Sequence, residues 1–584
     1  MKKSIHHIRR RLTYIDTLPQ LAILGAISGF FTGLLIITFR MLIELPQQYF
    51  LPEHMQDNFE AMPTWLYLAL PVSGALILGI VFQRLTPDLR KVGVIHVMDR
   101  LSNHQGVMRL HNAIVQFFTG AWTVLFGLSM GREGPAIHLG AAISSQLGQW
   151  MNIPHQNIRL LVGCGTAAAI SASFNTPIAG VIFAMEVVMT EYTVTTFTPI
   201  ILSSVSAAVV TRLFYGNDPA FVVPPLQMNS LLELPYLALM GVVVGCVAAL
   251  FIFLSEKSFQ LSQRYSIWQR FTLAGVITGT LALIAPQILG IGYDTVNEVM
   301  VGQFPILFLI VVFICKLLAT SACVGAGLPG GVIGPTLFIG ASLGGIMGSL
   351  GQITAPEYAA SPGFYAMIGM AAMMGAVLQA PLAALLALLE MTSNPNIILP
   401  GLLVVVISSM IVTESFRFKS LFLTLLQAQG LDFRNDPLSQ WLYRVGINEV
   451  IDRRIIRHNA EISFQEAHSL MENAPYWLLV DNDEGKPTAL MPTADMARYV
   501  NQIEEGSAEH LPGKTQTFNL LEIPANRKDL ADIDLQATLR EALDLIDEKN
   551  VGALYVHRIS APTIKRVYGI VTRKDIERYY STKK

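Results

Sequence analysis

Gly131-Arg132-Glu133-Gly134-Pro135 places an arginine and a glutamate side by side in apolar sequence. Between Asn112 and Met185 the only Lys, Arg, Asp or Glu residues are Arg132, Glu133 and Arg159. Ionisable groups at membrane depth are costly, and they face cavities or pathways for ions or protons. Glycines on both sides let the backbone approach a ligand closely, and Pro135 suits the first turn of a helix. A helix N-terminus presents free N–H groups and partial positive charge, which favours anions. The stretch therefore reads as an anion pathway with Glu133 at its narrowest point. The alternative at this stage is a Gly-rich packing corner holding a locally satisfied ion pair.

Composition supports a membrane setting. The chain has 584 residues, 52% of them hydrophobic and 14% charged, and its mean hydropathy is +0.48. A soluble protein carries about 25% charged residues. The net charge of -2 implies no nucleic-acid partner. Cys164, Cys246, Cys315 and Cys323 lie in apolar segments without paired spacing, which suggests neither a disulfide framework nor a metal site. The basic start, Met1 to Arg11, runs into an apolar segment from Leu21 that is too long for a signal core, and the positive-inside rule puts the N-terminus in the cytoplasm.

Working outward, residues 18–426 are apolar and punctuated by Gly and Pro, whereas the tail is charged and ordinary. Leu21–Ile43, Trp65–Phe82, Ile114–Leu128, Leu237–Leu254, Phe271–Leu289, Ile306–Val324 and Ile397–Val412 are expected to span. Ala136–Leu147, Leu160–Ala172, Ile178–Val188, Thr336–Met347, Met367–Leu378 and Leu382–Leu389 are expected to be too short, as in broken helices that meet at a midplane site.

An internal repeat strengthens that expectation. Gly134-Pro135, Gly140-Ala141 and Gly148 recur as Gly334-Pro335, Gly340-Ala341 and Gly348, at an offset of 200. Gly165, Pro177 and Glu186 recur as Gly369, Pro381 and Glu390, at an offset of 204. Ile333 stands where the first half has Glu133. The tail also repeats: Ile462–Met471 resembles Ala537–Ile546, and each is followed by two strand-like pieces and a helix start.

On these motifs the chain resembles the CLC chloride channels and chloride/proton antiporters, with a pair of CBS modules on the C-terminus. The resemblance implies an all-α polytopic membrane domain, an inverted repeat with broken helices, followed by an α/β cytoplasmic CBS pair. The implied domains are a basic N-terminus (1–17), a transmembrane domain (18–426, repeats about 18–215 and 230–426) and a linker (427–445). A first CBS module (446–505), a linker (506–530) and a second module (531–584) follow. A multi-pass protein of the bacterial inner membrane is implied, with its tail cytoplasmic, forming a homodimer with one pathway per subunit.

The resemblance makes Glu133 the gate. A carboxylate is an anion and can occupy the seat where chloride would sit. It implies an anion pathway through Val92, Gly93, Arg132, Gly134, Val332, Ile333 and Phe422. Val92 and Phe422 stand where the family usually has serine and tyrosine hydroxyls, so the constriction is expected to be more apolar. Val187 stands where antiporters commonly carry an inner proton glutamate. The first expectation is accordingly a glutamate-gated, voltage-gated chloride channel, with a chloride/proton antiporter as the alternative. A CBS-bearing cation transporter is more remote, because it would need clustered carboxylates. No paired acid and base or nucleophile suggests an enzyme. Glu186, matched by Glu390, is expected to be structural; Lys316 either snorkels or lines the inner vestibule. In the tail, Thr572 and Asp575 match the spacing of a CBS adenine-nucleotide site, and Pro492 with Asp495 match it less well. A helix cap at Asp575 is the alternative.

Overall fold

The computed structural model describes residues 18–52, 57–217, 221, 227–302, 304–431, 442–443, 445–472, 475–482, 485–506, 517–561 and 564–583. The basic N-terminus 1–17 and parts of both linkers lie outside the described residues. The chain forms two compact units, one of Leu18–Met151 with Asn157–Arg434, the other centred on Asn435–Lys584.

The first unit is helical. Its first half comprises α1 (Leu18–Phe50), α2 (Thr64–Arg84), α3 (Gly93–Asn103), α4 (Leu110–Leu125), α5 (Glu133–Trp150), α6 (His155–Phe174), α7 (Pro177–Phe183) and α8 (Val194–Tyr215). A π-turn at Ala184–Met189 continues α7. The second half comprises α9 (Leu234–Ser262), α10 (Ile267–Ala282), α11 (Tyr293–Val301), α12 (Ile306–Ala326), α13 (Ile333–Thr354) and α14 (Pro362–Leu378). It ends with α15 (Pro381–Thr392), α16 (Ile398–Met410) and α17 (Leu421–Ala428). Eight of the described helical stretches are long and apolar enough to cross a membrane.

The repeat seen in the sequence is a repeat of packing. A Cβ on Gly140 would lie 2.3 Å from the Gly165 carbonyl oxygen, and a Cβ on Gly340 would lie 2.3 Å from that of Gly369. In both halves, then, glycine brings the helix after the Gly-Pro pair onto the next one. The flanking helices pair through small residues as well. Gly25 and Gly29 of α1 approach Pro199 and Ser203 of α8, and Gly241 and Gly245 of α9 approach Val404 and Ser408 of α16. Lipid tails are as apolar as leucine, so close backbone packing of this kind holds membrane helices together.

Three of the segments expected to be short lie in longer helices, and two of those helices, α6 and α13, are among the eight. Ala136–Leu147, Leu160–Ala172 and Thr336–Met347 lie in helices of 18, 20 and 22 residues. Their glycines and alanines lower the hydropathy without breaking the helix, because they face protein: α6 and α13 are almost wholly buried. Conversely, Ile114–Leu128 and Phe271–Leu289 exceed the regular helices they contain. α4 stops at Leu125, and α10 stops at Ala282 before a 3-10 turn at Pro286–Ile288. Helix α8 had no counterpart among the expected spans, since its Thr and Ser residues dilute the apolar signal.

The second unit contains β1 (Ile455–Asn459), β2 (Glu461–Ser463), α18 (Phe464–Glu472), β3 (Trp477–Asp481), β4 (Pro487–Pro492), α19 (Thr493–Gly506) and β5 (Thr517–Asn519). Then come β6 (Lys528–Asp534), α20 (Leu539–Lys549), β7 (Ala553–Ala561), β8 (Ile564–Val571) and α21 (Arg573–Lys583). The six-stranded sheet has the order β1-β3-β4-β6-β7-β8. Strand β1 pairs parallel to β3 and β3 antiparallel to β4; β6, β7 and β8 repeat that pattern. Each module therefore opens on a strand, β1 or β6, absent from the helix–strand–strand–helix pattern expected. Charged residues in Ile455–Asn459 and Lys528–Asp534 hide the strand signal.

Candidate functional site

The two Gly-Pro motifs meet. Gly131 N donates to Gly331 O at 2.7 Å and Gly331 N to Gly131 O at 2.6 Å, an antiparallel bridge that joins the repeats. Glycine is required here, because a Cβ on Gly331 would stand 2.5 Å from Gly134 N, and one on Gly131 2.1 Å from Glu133 Oε2. The approach brings the Glu133 carboxylate to the N-terminus of α13. Gly334 N donates to Glu133 Oε2 at 3.3 Å, and the Tyr293 hydroxyl donates to Oε1 at 2.6 Å. Glu133 is 0% exposed. Free N–H groups and the helix dipole favour negative charge at this position, so the carboxylate occupies an anion seat.

Cavities lie next to the residues on either side of it. One, of 470 Å³, is lined by Val92, Gly93, Gly134, Val332 and Phe422 among others. Five residues drawn from four separate segments are thus brought together. Val92 and Phe422 are apolar residues of this lining. At its wall, Gly93 N donates to Gln116 Oε1 at 2.7 Å, and Gln116 Nε2 donates to Pro329 O at 3.2 Å. The other cavity, of 390 Å³, is lined by Arg40, Asp57, Arg132, Tyr215, Tyr293 and Asp294 among others.

Arg132 does not pair with its neighbour in sequence. Its Nη1 donates to Glu44 Oε1 at 2.8 Å, and Glu44 also accepts from Arg40 Nε at 3.0 Å and from the Tyr215 hydroxyl at 2.9 Å. A locally satisfied Arg132–Glu133 pair is therefore not what the motif forms. Ile333 heads α13 and lines a small apolar cavity with Ile170 and Met374.

The matched glutamates cap each other's repeat. Glu186 accepts from Leu382 N at 3.4 Å and Ala383 N at 2.8 Å, at the start of α15. Glu390 accepts from Ile178 N at 3.0 Å and Ala179 N at 2.8 Å, at the start of α7. Val187, one residue on from Glu186, is buried within the π-turn. Lys316 fits neither expectation, being 0% exposed. Its Nζ donates to the carbonyls of Ile288 and Gly290 at 2.9 Å and of Ile291 at 3.3 Å, and it lies 4.7 Å from the Phe338 ring centroid. Among the described residues no group of three His, Cys, Asp or Glu side chains is placed to hold a metal ion.

Sequence reasoning missed Tyr293, Glu44 and Gln116. Glu44 and Arg40, charged residues within the α1 span, carried a legible signal of the kind that marked Glu133. Tyr293 carried none, because its role exists only through Glu133, 160 residues away. In the tail, the Thr572 hydroxyl donates to Asp575 Oδ2 at 2.6 Å and Thr572 N donates to it at 3.0 Å, so this pair caps the start of α21. Asp495 accepts from Asn526 N at 2.9 Å.

The sequence model described as "Voltage gated chloride channel" matches residues 74–413. The chain belongs to the CLC family. A CBS domain model matches residues 523–582 of this CLC protein. It is 34% identical over 350 residues to the "Putative chloride channel protein ClcB-like" of Ralstonia nicotianae, covering 59% of this chain and 81% of the relative. It is 27% identical over 445 residues to the "H(+)/Cl(-) exchange transporter ClcA" of Vibrio parahaemolyticus, covering 74% and 93%. Its fold is similar to that of a slow cyanobacterial Cl-/H+ antiporter, with a TM-score of 0.62 and 22% identity over 70% of this chain and 97% of that one. The CLC protein described here is thus a multi-pass integral membrane protein that transports anions, and it is not an enzyme.

Proposed function

We propose that the protein exchanges chloride for protons across the membrane, with Glu133 as the group that both blocks the anion path and takes up the proton. The observation that carries the reading is the buried Glu133 carboxylate, whose chain neighbours line different cavities: Arg132 the one of 390 Å³ and Gly134 the one of 470 Å³. Protonation would remove the charge that holds the carboxylate at the N-terminus of α13 and free the seat for an anion. Exchange is favoured over the voltage-gated channel expected first, because the Vibrio relative, which the match covers over 93% of its length, is named as an exchanger. The same reading places Val92, Gly93, Gly134, Val332, Ile333 and Phe422 on the anion path, with Arg132 at the mouth of the other cavity. Main-chain amides suit a weakly hydrated ion that must enter and leave quickly.

The test is reconstitution in liposomes with simultaneous recording of chloride and proton movement. Wild-type protein is expected to take up protons against their gradient when chloride is driven outward, and Glu133→Gln to lose that uptake. Outward chloride flux with no proton movement by the wild type would refute exchange. Unchanged chloride flux and coupling in Glu133→Gln would refute the gate. An inner-membrane homodimer with a cytoplasmic tail, and adenine nucleotide at Thr572 and Asp575, belong to this reading through the family resemblance.

A further inference from the structure

The seated carboxylate has no direct contact with either cavity. Glu133 is 0% exposed and is absent from both linings. Its Oε2 faces main chain, accepting from Gly334 N at 3.3 Å and packing against Gly131. Its Oε1 accepts from the Tyr293 hydroxyl at 2.6 Å. Among the described residues, Tyr293 is the one titratable side chain hydrogen-bonded to this carboxylate.

Tyr293 also lines the 390 Å³ cavity. That cavity reaches the protein surface at Gly216, an exposed residue of its lining. It has room for roughly ten waters at about 30 Å³ each. An ionised carboxylate only accepts, so the hydroxyl proton points at Oε1, and the phenol oxygen keeps lone pairs for a donor from the cavity. A main-chain N–H offers no such acceptor. One oxygen atom therefore stands between the water of the cavity and the gate.

We propose that the Tyr293 hydroxyl is the port through which protons pass between the 390 Å³ cavity and Glu133. The inference rests on the exchange reading. The surroundings hold the hydroxyl in place. The ring packs on Phe221 and on Phe174 of α6, and Lys316 Nζ grips the carbonyls of Gly290 and Ile291 just before it in the chain. The charged groups around Tyr293 are Glu133, Arg132 and Asp57. Asp294, the next residue, lines the same cavity and has Asp57, Glu60 and Glu298 around it. Of the helices packed on α11, α13 brings no titratable side chain and α14 only Tyr365, which is engaged on Glu233.

The step balances. A proton from cavity water, or from the carboxyl of Asp57 or Asp294, bonds to Tyr293 Oη. The existing Oη–H bond breaks, and its proton bonds to Glu133 Oε1. The donor is left as water or carboxylate, the tyrosine is again neutral, and Glu133 is a carboxylic acid. The uncharged carboxyl leaves the N-terminus of α13, and the hydroxyl, free of its acceptor, turns about the Cζ–Oη bond to its starting orientation. Glu133 releases its proton on the far side and returns as a carboxylate to a hydroxyl ready to donate. Each cycle carries one proton one way, and no reverse passage is needed to reset it.

The experiment uses full-length wild type and Tyr293→Phe in liposomes, with chloride efflux and chloride-driven proton uptake read from the same vesicles. A positioned proton carrier is worth about 10²–10⁴ in rate, so proton uptake is expected to fall at least about tenfold in the variant. Chloride efflux is expected to hold or rise, because the seated carboxylate has lost a hydrogen bond. Movement of the two fluxes in opposite directions is the readout that a merely structural role would not give, since a hydroxyl that only held the carboxylate down would raise both when removed. Coupled wild type with unchanged or faster proton uptake in the variant overturns the port alone, as does an equal loss of both fluxes. Wild type that moves chloride without protons overturns the port together with the exchange reading.

Discussion

Replacing Tyr293 with phenylalanine removes one hydroxyl from the proposed gate and little else. The ring is held independently of its hydroxyl, against Phe221 at 5.3 Å and Phe174 at 6.4 Å between centroids. The lost bond is short, 2.6 Å, and its acceptor is the buried Glu133 carboxylate. Hydrogen bonds to charged groups contribute about 1.5–3 kcal/mol. The other bond to this carboxylate, from Gly334 N, is longer at 3.3 Å and persists. At about 1.4 kcal/mol per factor of ten, the seated carboxylate loses roughly 10- to 150-fold in population relative to the unseated one. If the seated state dominates in the wild type, chloride efflux from liposomes at neutral pH rises by about one order of magnitude or more, until another step limits it. Chloride-electrode traces on matched vesicles give the number. The decisive control is the same substitution in a Glu133→Ala background, where Tyr293→Phe should have no effect because its partner is gone. Unchanged or slower efflux in the single variant, or an equal rise in the Glu133→Ala background, would refute the latch.

Four further tests follow from the structure. Glu186→Ala and Glu390→Ala each leave two helix-start N–H groups without their carboxylate and should cost about 0.5–2 kcal/mol apiece, read as a lower Tm in detergent. Glu186→Gln should retain proton coupling, and a loss of coupling would give Glu186 a proton role instead. Lys316→Met leaves three buried carbonyls without their donor and should destabilise by about 1–3 kcal/mol for each one left unsatisfied, read as a lower Tm; an unchanged Tm would show that these carbonyls find other donors. Calorimetry of ATP, ADP and AMP on the full-length protein tests the tail. Binding that Asp575→Asn abolishes supports a nucleotide site, and no heat with any of the three leaves Thr572 and Asp575 as a helix cap.

The sequence by itself determined the class of the fold and the position of its centre. Charge is so costly in lipid that Arg132 and Glu133 stood out unaided, and the offsets of 200 and 204 located their counterpart at Val332–Pro335. Some of the repeated residues also repeat their contacts: Gly140 on Gly165 and Gly340 on Gly369, and the crossed caps of Glu186 and Glu390. Helix lengths were less legible. Hydropathy measures what a segment would meet in lipid, and α6 and α13 meet protein instead.

Tertiary structure alone decided who partners whom. Adjacent charges in sequence proved to point to different partners, Arg132 to Glu44 and Glu133 to Tyr293 and Gly334. Lys316 found three carbonyls rather than water. His96 and His138, 42 residues apart, became a pair. The physical reason is common to all of these. A polar group in a low-dielectric interior is governed by whichever donor or acceptor the folded chain brings within about 3 Å, and that neighbour need not be near in sequence.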